Sequence, residues 1–204
     1  MSLPGLRRAA LPAALVLLVL FAAVAIARPY VFDAPAGDYE TRQGDILLGD
    51  GAWERAVERF DAALAAAPGH RGALMGKAIA LLQGGRADEA EAVFGELIEG
   101  LGATLAPDDG TGRAVLAGAY ANRGILHDRE GHHQAALADY RQALAIDREA
   151  VDGPGLVHRI LYGNTRPSSV QARAAYLERQ LALPEGERLL RVPDLDARQR
   201  MYKP

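Results

Sequence analysis

His127, His132 and His133 fall within one short stretch, with Asp128 and Glu130 between them. Imidazoles beside carboxylates form a donor set that can hold a divalent metal, so this is where the residue types come closest to supporting catalysis. No glycine-rich phosphate loop, no serine–histidine–aspartate order with a recognisable elbow and no paired metal motif on a helix occurs elsewhere. The absence of cysteine excludes a thiolate metal site, a cysteine nucleophile, a disulfide scaffold and a lipidated lipoprotein. Packing and solvent exposure explain the three histidines more simply, with His132 at a turn. The chain is therefore read as having no catalytic residue, no metal and no cofactor.

The elements that carry these residues repeat. Stretches 37–68, 71–102 and 117–148 share one pattern of small and large side chains. Gly51, Gly85 and Gly131 mark a central turn, Ala56, Ala90 and Ala136 follow it, and Phe60, Phe94 and Tyr140 come one helical turn later. Apolar residues recur at three- and four-residue intervals on both sides of each glycine, so each stretch predicts two helices joined by a tight turn. The glycine supplies a positive φ at little cost. The alanine marks the closest approach of the two helices, and the aromatic fills the space between one unit and the next. Such self-similarity predicts a stacked array. Helical content should be high, because no alternating strand pattern of useful length occurs.

The 34-residue step between the first two units resembles the tetratricopeptide repeat, with Gly44 at the eighth position, Gly51 at the fifteenth, Ala56 at the twentieth and an aromatic at the twenty-fourth. Unit three matches best, through Tyr120, Asn122, Arg123 and Gly124, then Ala136, Leu137, Asp139, Tyr140, Ala143, Leu144 and Asp147. The resemblance implies an all-α fold: a right-handed solenoid of three helical hairpins (37–70, 71–104 and 117–150) with capping helices in 151–204. The longer step to unit three places an insertion near 101–116, expected to extend the second helix of unit two and add a loop. His127, His133 and Trp53 then occupy packing positions.

In proteins of this family the first helices line a concave groove. Carried over, that face holds Asp38, Thr41, Asp45, Leu48 and Gly49 in unit one; Gly72, Met75, Ile79, Leu82 and Gln83 in unit two; and Gly118, Ala121, Ile125, Asp128 and Arg129 in unit three. The expected partner-binding set is Leu48, Met75, Ile79, Leu82, Gln83, Ile125, Asp128 and Arg129. Its apolar middle suits an amphipathic helix or an extended apolar segment of a protein partner, with Met75 supplying adaptability. The alternative occupant is the chain's own C-terminal segment.

Residues 9–27 are a charge-free apolar run, preceded by Arg7 and Arg8 and closed by Arg28. As a helix it would span roughly 28 Å, close to a bilayer's hydrocarbon thickness of about 30 Å. It reads as a transmembrane signal anchor, with cleavage after Ala27 as the alternative. Residues 1–8 would stay cytoplasmic, residues 28–36 form a tether, and the body lies in the periplasm. Setting Arg7 and Arg8 aside leaves 21 basic against 26 acidic residues, a net charge of −5 that argues against nucleic acid.

After unit three, Asp152–Gly155 breaks the helix and Leu156–Tyr162 predicts a short one. A longer helix over Val170–Leu183, capped by Ser168 or Ser169, carries Val170, Ala174, Leu177 and Leu181 on one face and leaves Arg173 exposed. The final stretch, with Leu189, Leu190, Met201 and Tyr202, is apolar enough to pack on the repeats or on a partner. The expected function is a membrane-anchored protein-interaction adaptor in the periplasm. The alternatives are a self-associating organiser of the membrane surface, or a metal-dependent enzyme built on the histidine cluster.

Overall fold

The computed structural model describes residues 16–26, 35–151, 169–193 and 201. The expected n-region, most of the tether, the short helix over Leu156–Tyr162, and Tyr202 lie outside them. Residues 16–26 form α1, whose Leu17, Phe21 and Ile26 are exposed. The rest of the apolar run 9–27 is outside the described residues, and no described helix is long and apolar enough to cross a membrane.

The repeats fold as expected into helical hairpins. Helix α2 (Asp38–Gly49) pairs with α3 (Trp53–Ala66), α4 (Arg71–Gln83) with α5 (Ala87–Thr104), and α6 (Gly110–Glu130) with α7 (His133–Ile146). Each second helix touches the next hairpin's first helix, and the first helices line up as α2, α4 and α6. Burial follows from that arrangement. Helix α3 buries one stripe, Ala56, Val57, Phe60 and Ala63, at helical spacing. The central α4 has neighbours on several sides and is buried through most of its length, from Ala73 to Leu81 apart from Lys77.

The three turns are built alike. Gly51, Gly85 and Gly131 stand at φ 74°, 81° and 84°. Past each glycine, the next residue's amide returns to a carbonyl five residues back: Ala52 to Leu47 at 2.9 Å, Arg86 to Leu81 at 2.9 Å, and His132 to His127 at 2.8 Å. This is the Schellman closure, which satisfies carbonyls that the helix end would leave unpaired. Between hairpins one and two the Phe60 ring, fully buried, lies against backbone. A Cβ on Gly76 of α4 would stand 2.3 Å from its Cζ, and one on Gly44 of α2 2.5 Å from its Cε1. The aromatic locks the units because both facing residues lack side chains.

The insertion differs from expectation. Helix α5 does extend to Thr104, but α6 begins at Gly110 rather than near 117, so the inserted residues are shared between α5, a short loop and the first turns of α6. Asp109 starts that helix: one carboxylate oxygen accepts the Gly112 amide at 2.7 Å and the other binds Arg71 at the head of α4. Leu101, Val115 and Leu116 share one apolar core with hairpins one and two, so the stacking is continuous. At the far end α8 (Arg148–Val151) packs on α6 and α7, while α9 (Val170–Leu181), capped by Ser169, packs on α7.

Candidate partner-binding groove

The aligned faces of α2 and α4 form one wall each of a pocket of about 360 Å³. Leu48, Trp53, Ile79 and Met201 supply its apolar lining, with Asp45 and Gln83 as polar groups at the same pocket. A further wall is Met201, from the C-terminal segment. It lies against the main core and against the apolar cluster beneath α9, and Gln83 Nε2 approaches its Sδ at 4.0 Å.

The expected groove residues separate into two sets. Leu48, Leu82 and Gln83 are half-buried or exposed on the concave side, and Ile79 forms the pocket's floor at 5% exposure. Met75, by contrast, is buried at 1% exposure, with the Asn122 amide 3.4 Å from its sulfur, so it packs α4 against α6 instead of presenting an adaptable surface. Ile125 packs with Ala174 and Leu177 of α9 rather than forming an open wall. Arg129 stays exposed and offers its carbonyl to Arg191. Thr41, Gly118 and Ala121 are buried as well.

Asp128 is the clearest departure from an open groove. Only 1% of its side chain is exposed, and it accepts two hydrogen bonds from Arg173 of α9, from Nε at 2.6 Å and from Nη2 at 2.8 Å. His133 Nδ1 lies 3.0 Å away, and the Tyr140 hydroxyl donates to the same carboxylate at 3.3 Å. Burial, and then the charge of Asp128, push the Tyr140 hydroxyl well above its ordinary value, so it remains a donor. Arg173 also donates to the Leu190 carbonyl at 3.0 Å, which ties the chain after α9 to the same point. Arg173, expected to be exposed, is therefore buried at 5% exposure and fastens the cap to hairpin three. The bidentate ion pair fixes the orientation of the cap, which an apolar helix face alone does less sharply.

The histidine cluster is divided. His133 turns inward to Asp128, whereas His127, Glu130 and His132 stay together at the turn. Trp53, expected in the core, is half-buried and lines the pocket; its place just after the turn at Gly51 was the available signal.

A search of curated proteins finds no match to the chain. Residues 41–109, about a third of the chain, match the family model described as tetratricopeptide repeat. That stretch takes in hairpins one and two, and hairpin three continues the same helix–turn–helix geometry beyond it. Residues 41–109 are thus similar to the tetratricopeptide repeat, carried in an all-helical array among the described residues.

Proposed function

We propose that this protein is an interaction adaptor: a helical-repeat array held at the membrane by residues 9–27, with its body in the periplasm, that docks an apolar or amphipathic segment of an envelope protein in the pocket between α2 and α4. The likeness to tetratricopeptide repeats, which generally mediate contacts between proteins, supports the class of function. The observation that carries the site is that Met201, an apolar side chain of the C-terminal segment, lines the same pocket as Leu48, Trp53 and Ile79 and packs against the main core. A pocket that accepts a flexible thioether accepts an equivalent apolar anchor from another chain, and affinity then depends on displacing the internal one. Gln83, exposed at the pocket, would set the partner's register by hydrogen bonding at the rim. No reaction is assigned to the groove, since binding and release are the whole of the proposed mechanism.

The charge-free run 9–27, flanked by arginines, supports the anchor, and Arg7 and Arg8 support the orientation. A photo-crosslinking side chain at Gln83, in the full chain in native membranes, tests the site. The adaptor reading expects an adduct of defined mass that a crosslinker at Glu99, on α5, does not give. Identical products from both positions would overturn it.

A further inference from the structure

The Schellman closure brings together the side chains on either side of each turn. At the first turn the joined residues are Leu47 and Ala52, and at the second Leu81 and Arg86. At the third they are His127 and His132, with ring centroids 6.1 Å apart, and Glu130 stands between them at the end of α6. One donor atom from each of these three residues lies within 4.8 Å of the others, the one such group of three among the described residues.

We propose that this turn is a binding site for a borderline divalent transition-metal ion such as Zn²⁺ or Ni²⁺, with His127, Glu130 and His132 as its protein ligands. The state of His127 carries the argument. Its Nε2 faces two carboxylates, Asp139 at 3.6 Å and Glu91 at 3.9 Å, and Asp139 is itself fixed by two hydrogen bonds of 2.8 Å from Arg123. A carboxylate behind one ring nitrogen is the arrangement that orients a ligating imidazole. The other nitrogen, Nδ1, is buried and has no hydrogen-bond partner. A buried polar atom left unpaired is costly, and a metal ion is one of the few ways to satisfy it there.

The remaining ligands can close on the ion. Donors bound at about 2.1 Å in a tetrahedral site stand roughly 3.4 Å apart. His132, with 65% of its side chain exposed, and Glu130, with 29%, are free to contract to that spacing, and His132 Nδ1 is already 3.5 Å from the Glu130 carboxylate. Two imidazoles and one carboxylate suit zinc, nickel or copper better than calcium or magnesium. Water would complete the coordination on the exposed side. His133 is not a ligand, since Asp128 holds it on the other side of the helix start.

The test is a Zn²⁺ titration of the untagged, metal-stripped full chain in detergent, against a chromophoric chelator. One equivalent should bind, with affinity reduced about tenfold or more by His132→Ala and severalfold by Glu130→Gln, and unchanged by Glu99→Gln. His132 is exposed, so its replacement leaves the fold intact. Unsaturable binding up to ~100 μM, or equal affinity in His132→Ala, would overturn the proposal.

Discussion

Arg173→Met tests whether a buried ion pair fastens the cap to the array. The substitution keeps the aliphatic bulk of the side chain but strips the Asp128 carboxylate of the Arg173 bonds at 2.6 and 2.8 Å, at a site where 1% of the aspartate is exposed. Removing one partner of such a pair costs about 3–5 kcal/mol, because the remaining charge stays desolvated. The chain has a cheaper escape. Helix α9 is terminal to the array, and releasing it lets Asp128 rehydrate while Leu177, fully buried, is uncovered at about 1.5–3 kcal/mol. Whichever route prevails, the cap opens more readily by at least ~1.5 kcal/mol, so amide protection in α9 should fall roughly tenfold or more. Hydrogen exchange resolved by segment measures this, with α3 and α4 as internal references that should not change. The double substitution Asp128→Asn with Arg173→Met removes the stranded charge and should restore much of the protection. Loss below about threefold in the single variant would refute the reasoning.

Gly76→Ala would place a Cβ 2.3 Å from the Phe60 ring, which is already bounded by Gly44, and should destabilise the protein by about 1–3 kcal/mol in urea titrations; Phe60→Leu in the same chain should recover part of that. Asp109 is held below the ordinary carboxylate range, chiefly by the Gly112 amide and then by Arg71, so its contribution is present above the unfolded value of 3.8 and is lost as the pH falls through the depressed one. Acid unfolding of the wild type should show this component at the start of α6, and Asp109→Asn should lack it. Trp53 is the sole tryptophan, so Met201→Ala should shift emission to the red by wetting the pocket, whereas unchanged emission would mean that Met201 does not cover it.

The turn glycines, the alanines after them and the bulky Phe60, Phe94 and Tyr140 were legible because each answers a local requirement: positive φ, close helix approach, or a gap between hairpins. The start of α6 was not. Gly110 and Gly112 resemble a loop, and what makes them helical is a cap from Asp109 that is itself held by Arg71, 38 residues away in sequence. Arg173 was misread for a similar reason. An arginine on an amphipathic helix ordinarily faces water, and the partner that buries it, Asp128, lies 45 residues earlier with no local signature. Asp128 in turn stands where the repeat register expects a groove-facing side chain, yet it is engaged by Arg173 of the cap together with His133 and Tyr140 of α7. Leu48, Ile79 and Gln83 line the pocket, while Met75 and Ile125 are covered by elements whose docking the register does not encode.

The central claim is that the pocket between α2 and α4 takes an apolar anchor, supplied internally by Met201 and externally by a partner. A photo-crosslinker at Leu48, which lines the pocket, reports who occupies it in native membranes. The account predicts a partner adduct whose yield rises when Met201→Ala removes the internal side chain. The absence of any partner adduct in both chains, or an equal yield in the two, would contradict it.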